Sequence, residues 1–232
     1  MLANWQPLDE HDTDILKGSM NKIRDEVLTE WRKKYSDFEI IDKLKSGKEA
    51  DVWSVFIGGE LRALKVYVAS NMSTRQAYTE GQWINSPSLR KATKQKTKVG
   101  KDLQRRLWTK REYYLLKKLR ELGATVPEVF AYTDDAILMQ YLGDEASAAP
   151  RLIDIALGAE SKASAKTEIE RNLRVLLENG IVHADLSPYN ILWWENKPWI
   201  IDLPQAADIR HNPNWKEFYE RDVENIRRYF VE

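Results

Sequence analysis

Apolar residues recur every three or four positions in four stretches of the chain, and this spacing predicts four amphipathic helices. The stretches cover residues 13–35, 103–123, 165–180 and 214–230. In the second stretch Gly123 is the predicted stop, because glycine readily adopts the left-handed conformation that ends a helix. We expect the buried side of this second helix to carry Leu103, Leu107, Leu115, Leu119 and Leu122.

Short runs rich in β-branched and aromatic residues lie between the helical stretches, and they predict strands. The first three runs are "FEIIDKL", "DVWSVFIG" and "LRALKVYV", and the Gly58-Gly59 pair between the last two predicts a hairpin turn. "VPEVFAYT" and "AILMQYL" predict two further strands around an Asp134-Asp135 turn. "NILWW" and "PWIID" predict a second hairpin.

The order of these elements is a helix, a sheet with one inserted helix, and then a mostly helical part. This order favours an α+β fold of two lobes with a crevice between them. We divide the chain into an N-terminal helical segment at 1–36, an N-lobe at 37–142 and a C-lobe at 143–232. Within the N-lobe, residues from about 70 to 100 are polar and lack periodicity, which predicts a flexible loop.

Composition and charge exclude several classes of protein. The chain has 36 basic and 36 acidic residues, so its net charge does not direct it to nucleic acid or to a membrane. The basic stretch 90–120 is an exception, and it is either a solvated face or a docking surface for RNA or an acidic partner. The absence of cysteine excludes a disulfide scaffold and a thiolate metal site. Without a signal pattern or a membrane-length apolar run, we expect a soluble cytoplasmic protein.

The stretch "HADLSPYNIL" carries the strongest candidate chemistry, because it matches the catalytic-loop pattern H-x-D-L-x-x-x-N of kinases. Asp185 is placed to accept the proton of an attacking hydroxyl, and Asn190 to bind a metal ion carried by phosphates. Asp202 follows an apolar strand, where a second metal ligand belongs, and Lys65 lies inside a strand like the lysine that contacts nucleotide phosphates.

Several of these residues also have purely structural interpretations. Asp185 and Asn190 are common turn residues, although their order with Asp202 and Lys65 argues against that interpretation. His183 is better explained by a hydrogen bond to nearby backbone than by proton transfer. Glu112 is either a solvated helix acid or the partner of Lys65.

The chain resembles the RIO family of atypical serine kinases in five stretches. These are "SGKEADVW", "ALKVY", "WTKRE", "HADLSPYNIL" and "IIDLPQ", and the final helix, with its Arg-Asp and Asn, resembles the family's closing helix. The similarity covers residues 36–230 and is closest to bacterial-type members, without the winged-helix module of one subgroup. It implies a two-lobed protein-kinase-like fold with a small β-rich N-lobe, a truncated helical C-lobe, and the nucleotide in the cleft.

The resemblance also implies a role for each candidate residue. Asp185 would be the catalytic residue, Asn190 and Asp202 the ligands of Mg²⁺ or Mn²⁺, and Lys65 the phosphate contact paired with Glu112. The residues implied to hold ATP are Ser46, Gly47, Lys48 and Glu49 over the triphosphate, Met139, Gln140, Tyr141 and Leu142 as the hinge, and Val52, Ala63, Pro150 and Ile201 around the base.

Three departures from ordinary kinases accompany the resemblance, and RIO members share them. Ala184 replaces the usual arginine, a short tail follows Asp202, and a long insert separates Lys65 from Glu112. The implied reaction is transfer of the γ-phosphoryl group of ATP to serine, with the protein itself among its substrates. The alternatives are a small-molecule kinase of the aminoglycoside type and an ATP-driven switch that docks on a ribosomal particle through the basic stretch 90–120.

Overall fold

The computed structural model describes residues 22–47, 50–67 and 98–231. Two short 3₁₀ turns, Leu152–Asp154 and Pro188–Asn190, accompany the regular elements. In chain order these elements are α1 (Lys22–Lys34), β1 (Glu39–Ser46), β2 (Ala50–Ile57), β3 (Glu60–Tyr67), α2 (Lys98–Glu121), β4 (Val129–Tyr132), β5 (Ala136–Gln140), α3 (Ala159–Glu178), β6 (Ile181–Val182), β7 (Ile191–Trp194), β8 (Lys197–Ile200), β9 (Ala207–Asp208) and α4 (Trp215–Val231).

The first five strands form one antiparallel sheet in the order β1-β2-β3-β5-β4. The predicted hairpin between β2 and β3 is confirmed, with Ala50 opposite Tyr67 and Ile57 opposite Glu60. Gly58 and Gly59 both have positive φ angles, of 63° and 79°, which a two-residue hairpin turn of this type requires. β3 therefore lies inside the sheet, between β2 and β5, where its backbone is held on both sides.

The two faces of the sheet pack against different helices, because side chains alternate along a strand. On one face, Leu64 and Val66 pack with Trp31 of α1. On the other face, Ala63 and Tyr67 pack with Trp108 of α2. Lys65 lies between Leu64 and Val66 in sequence, so alternation turns its side chain toward α2.

A second hydrophobic core belongs to the C-terminal half of the chain. It contains Ile169, Leu173 and Leu176 of α3, together with Leu116 and Leu119 from the end of α2. α2 therefore contacts the sheet with its first half and the helical core with its second half. The other buried members are Ala124, Val126, Leu152, Ile181, Leu186, Ile191, Ile200, Leu203, Ala206 and Ile226.

The buried side of α2 differs from the prediction. Leu122, predicted to be buried, is 38% exposed, because it lies in the last turn beyond both cores. The helix begins at Lys98 rather than near Leu103, but Gly123 ends it as predicted, with a φ of 79°. Leu103, Leu107 and Leu115 are only partly buried. The side chains buried along α2 are Arg105, Trp108, Thr109, Glu112, Leu116 and Leu119.

The predicted hairpin of the second half is also present, since β7 and β8 pair from Ile191–Ile200 to Trp194–Lys197. α3 begins at Ala159, six residues before the predicted start at Ala165. The predicted loop up to residue 97, the first part of the N-terminal helix, and Lys48 and Glu49 lie outside the described residues. Among the helices that are described, none combines the length and apolarity needed to cross a membrane.

Candidate active site

Lys65 lies at the centre of the site and contacts two carboxylates. Its ammonium nitrogen is 2.9 Å from Glu112 of α2 and 2.8 Å from Oδ1 of Asp202, which follows β8. The predicted pair between Lys65 and Glu112 is therefore present, and Asp202 joins it. Three segments that are distant in sequence meet at this one charged group.

The charges of this cluster stabilise one another. Burial alone disfavours the charged form of Lys65, but Asp202 and Glu112 outweigh it and raise the pKa of the lysine above its ordinary value. Burial likewise opposes the charged form of Asp202, while Lys65 holds the pKa of that carboxyl below its ordinary value. Lys65 and Asp202 therefore each favour the charged form of the other.

Glu112 has two further hydrogen bonds that fix its position. The hydroxyl of Tyr67, at the end of β3, donates to Oε2 of Glu112. The backbone N–H of Leu203 donates to Oε1 over 3.1 Å. A buried carboxylate needs such donors to offset the loss of water. Glu112 thus links the strand that carries Lys65 to the turn that carries Asp202.

The candidate catalytic loop is held by the last helix. Asp222 of α4 accepts hydrogen bonds from the backbone N–H groups of Ala184 and Leu186, both over 2.8 Å. Arg221 donates to the carbonyl of Ala184, and Asn225 to the carbonyl of Leu186 over 3.0 Å. The backbone on both sides of Asp185 is therefore fixed by one face of α4.

This support maintains an uncommon backbone conformation. Ala184, whose N–H and carbonyl are both held by α4, has a φ of 67°, a region in which residues other than glycine are uncommon and strained. Asp202, in the turn after β8, lies in the same region with a φ of 68°. Burial raises the pKa of Asp222, although the two N–H donors and His183 favour its charged form. The hydrogen bonds from the Asp185 loop thus stabilise the buried carboxyl of Asp222, which in turn fixes that loop.

Asp185, Asn190 and Asp202 are brought together through backbone hydrogen bonds. The side-chain amide of Asn190 donates to the carbonyl of Asp185 over 2.9 Å. The carbonyl of Asn190 accepts from the N–H of Ile201, the residue before Asp202, over 3.0 Å. His183 lies with Nε2 3.0 Å from the carbonyl of Ile201, so its structural interpretation is confirmed.

The stretch predicted to cover the triphosphate is described on both sides of residues 48 and 49. The hydroxyl of Ser46 donates to Asp51 over 2.8 Å, and the N–H of Gly47 donates to the carbonyl of Ala50 over 3.0 Å. A Cβ atom on residue 47 would lie 2.8 Å from that carbonyl oxygen, so glycine is needed there. These contacts close the base of the β1–β2 turn.

Four of the residues expected to hold the base or form the hinge share an apolar cluster on the α2 side of the sheet. Val52, Ala63, Met139 and Tyr141 belong to it. Two hinge groups are bonded within the protein: the N–H of Gln140 donates to Glu128 over 2.7 Å, and the carbonyl of Leu142 accepts from Ala149 over 2.8 Å. Pro150 is exposed, and Ile201 is half-buried beside Asp202.

The site can contribute to a metal centre but cannot complete one from acidic residues alone. Within the described ranges, three or more His, Asp or Glu side chains do not gather into a metal-binding group. Asn190 uses its amide nitrogen as a donor, so its oxygen is the side-chain atom that could bind a cation. The oxygens of Asp202 and Asn190 suit Mg²⁺, which commonly takes one or two protein ligands and obtains the rest from phosphates and water.

Sequence reasoning missed several residues of this site. Tyr67 and Gln205 contact predicted residues directly, and Asp222 contacts the backbone on both sides of Asp185, yet none of these contacts was expected. Tyr67 and Gln205 lie in the quoted motifs "ALKVY" and "IIDLPQ". Asn225 lies three positions after Asp222 and four after Arg221 on one helix, which was the available signal of a shared polar face.

Comparison with known proteins gives the family. A model described as the RIO domain matches residues 51–232. The RIO-type serine/threonine-protein kinase Rio1 of Haloferax volcanii is 30% identical over 190 residues, which cover 81% of this chain and 61% of the relative. Human serine/threonine-protein kinase RIO3 is 32% identical over 126 residues, which cover 54% of this chain and 24% of the relative.

A solved structure shares the fold. The crystal structure of the Rio2 kinase-ADP/Mg²⁺-phosphoaspartate complex from Chaetomium thermophilum matches with a TM-score of 0.64 and 24% sequence identity. The match covers 89% of this chain and 59% of that one. The chain also spans only about a third of the rio1 kinase of Dictyostelium discoideum, to which it is 29% identical over 196 residues. The fold is the α+β protein-kinase-like RIO fold, and the chain belongs to the RIO family.

Proposed function

We propose that this chain is a RIO-type serine/threonine protein kinase that transfers the γ-phosphoryl group of ATP to serine, itself included. The observation that carries the proposal is the convergence of four groups. Lys65, Asp185, Asn190 and Asp202 come from three separate segments and are joined by hydrogen bonds of 3.0 Å or less, either directly or through the neighbouring residue. Relatives of the chain bear the name serine/threonine-protein kinase.

Each group has a role that follows from its chemistry. Lys65 would bind the phosphates of ATP, since a buried ammonium held by two acids is a fixed positive charge. Asp185 would accept the proton of the serine hydroxyl as that oxygen attacks phosphorus. Asn190 and Asp202 would hold Mg²⁺ or Mn²⁺, which neutralises charge on the phosphates when bound.

The remaining nucleotide contacts are proposed from the same fold. Ser46, Gly47, Lys48 and Glu49 would cover the triphosphate, and the β1–β2 turn is closed at Gly47 in a way that supports this. The adenine would lie against the apolar cluster on the α2 side of the sheet. Its contacts would be Val52, Ala63, Met139, Gln140, Tyr141, Leu142, Pro150 and Ile201.

A second candidate is an ATPase whose phosphoryl group passes to an aspartate. The observation that favours it is the solved Rio2 kinase complex, which contains ADP, Mg²⁺ and a phosphoaspartate. In this alternative the chain is an ATP-driven switch that docks on a ribosomal particle, with residues 90–120 as the docking surface. The small-molecule kinase is not retained, because the chain belongs to a family whose named relatives are protein kinases.

Three further expectations from the sequence remain predictions. These are the division at residues 36 and 142, the membership among bacterial-type RIO proteins, and the location in the cytoplasm. The motifs "DLSPYN" and "DLPQ" support the second. The packing of α2 against both hydrophobic cores supports treating the two lobes as one kinase domain.

Incubation of the purified chain with Mg²⁺ and γ-labelled ATP tests the proposal. We expect label on the protein that resists hydroxylamine, as phosphoserine does, and that forms only at a small residual rate in Asp185→Asn. Label that hydroxylamine removes would support the aspartyl-phosphate alternative instead. Asp134→Asn is the matched control, because Asp134 is an exposed acid paired with Arg106 on the surface. Equal labelling of the parent and Asp185→Asn would refute the role of Asp185.

A further inference from the structure

A buried amide contacts the candidate catalytic carboxylate. Gln205 is 7% exposed, and its Nε2 donates to Oδ2 of Asp185 over 2.8 Å. An ionised carboxylate can only accept hydrogen bonds, so the nitrogen of the amide must face it. The roles proposed above leave Gln205 without a function, although it is one of few buried polar side chains near Asp185.

The turn that carries Gln205 is anchored on both sides. Within the turn, the N–H of Ala206 donates to the carbonyl of Leu203 over 3.1 Å. Leu203 donates its N–H to Glu112, and the guanidinium of Arg111 donates to the carbonyl of Ala206. Two consecutive residues of α2 therefore set the position of this turn, and Glu112 is also the partner of Lys65.

We infer that Gln205 is a positioning residue that holds the carboxylate of Asp185 in the orientation required for proton acceptance; this inference rests on the proposed kinase function. A carboxylate bonded at one oxygen loses rotation about its Cβ–Cγ bond. Its plane then stays aligned for the substrate hydroxyl, and such alignment supplies a large part of the gain from a placed catalytic group. The hydrogen bond is charge-assisted, which makes it stronger than one between neutral groups.

The first test separates positioning from nucleotide binding. Gln205→Met keeps the length of the side chain and removes the amide. We expect kcat to fall by roughly 10- to 100-fold, which is part of the roughly 10²- to 10⁴-fold that a placed general base contributes, while KM for ATP changes by less than about twofold. Gln205→Glu should lower kcat further than Gln205→Met does, because a second carboxylate repels Asp185. The matched control is Asn196→Asp, an amide-to-acid change in the exposed β7–β8 turn.

The second test asks whether Gln205 acts through Asp185. Residues that act as a unit are not additive, so Gln205→Met should cost nothing further in an Asp185→Asn background. A merely structural role predicts the same fold loss in both backgrounds. That result, or an unchanged kcat in Gln205→Met, would overturn the inference.

The third test does not depend on kinase activity. The side-chain amide of Gln205 gives a pair of NMR resonances, which are identified by their loss in Gln205→Met. We expect Asp185→Ala to move them and Asn196→Asp to leave them in place. Resonances that do not shift in Asp185→Ala would overturn the inference. If they respond but the chain transfers no phosphate to protein, the proposed function is wrong while the hold of Gln205 on Asp185 is supported.

Discussion

Lys65 and Asp202 are 137 positions apart in the chain, and the ammonium of one lies 2.8 Å from the carboxylate of the other. The same ammonium contacts Glu112 over 2.9 Å. One lysine thus joins the central strand of the sheet, the long helix α2 and the turn after β8. Its charge also fixes the negative charge of Asp202, which the proposed metal site requires.

Removal of this lysine should weaken the fold. Lys65→Met leaves two carboxylates close together without their cation, and we expect the free energy of unfolding to fall by about 3 kcal/mol, the lower end for a broken buried pair because Asp202 is partly exposed. Chemical denaturation measures this loss. Lys197→Met, at an exposed position in the β7–β8 hairpin, is the control and should change little.

The loss of unfolding free energy in Lys65→Met should not depend on pH between 7 and 9.5. The folded state raises the pKa of Lys65 above its unfolded value of about 10.4. A group with a raised pKa contributes stability that is fully present below the unfolded pKa and is lost only as the pH rises through the folded one. Denaturation of both chains across this range should give a constant difference, and a difference that shrinks toward pH 9 would contradict the pairing.

Tyr67 should matter through its hydroxyl. Tyr67→Phe keeps the buried ring but removes one donor to Oε2 of Glu112, which keeps its contact with Lys65. We expect a loss of about 1.5–3 kcal/mol of stability, the range for a hydrogen bond to a charged group. Tyr114→Phe is the matched control, since Tyr114 is 50% exposed and its hydroxyl contacts only Tyr132 among the described residues, at 3.4 Å. Denaturation curves that shift equally in both variants would argue against the Glu112 contact.

Asp222 should support transfer without contacting ATP. Asp222→Asn replaces one of two accepting oxygens with a donor that faces a backbone N–H, so the loop around Asp185 should loosen. We expect kcat to fall by roughly tenfold or more, since displacement of a catalytic group by about 1 Å is costly, while ATP affinity by calorimetry stays the same. Glu224→Gln, on the exposed side of the same helix, should leave both unchanged. Loss of ATP affinity in Asp222→Asn would show a wider role.

The corrected face of α2 gives a simple test of packing. Leu119 is fully buried in the helical core, so Leu119→Ala should lower the free energy of unfolding by about 2–5 kcal/mol. Leu122→Ala, at a position 38% exposed, should cost less than about 1 kcal/mol. Equal losses of stability in the two variants would show that Leu122 is buried, as periodicity predicted.

Local patterns were sufficient to predict most elements of this fold. Gly58-Gly59 specified the first hairpin because only a few residues adopt its backbone angles. The two-residue pair of β6 with β9, in contrast, is too short to produce any periodicity. Leu122 was wrongly predicted to be buried, because the spacing of leucines does not show which part of a long helix extends beyond its packing partners.

The site was predictable only where the chemistry follows a motif. Asp185, Asn190 and Asp202 occur at kinase spacing, so a short pattern identified them. Asp222 contacts residues 36 and 38 positions earlier through backbone groups, and such contacts have no sequence pattern of their own. Gln205 lay inside a quoted motif, yet only the fold shows that its amide faces Asp185.

The most direct test of the central claim is calorimetric titration with a non-hydrolysable ATP analogue, with and without Mg²⁺. We expect the parent chain to bind the analogue more tightly with Mg²⁺ and Asp202→Asn to lose this gain, because a metal ligand is removed. Asp208→Asn, an acid outside the site that pairs with Arg210, should behave like the parent. A gain from Mg²⁺ that is equal in the parent and in Asp202→Asn would contradict the claim that these side chains converge on one metal-bound nucleotide.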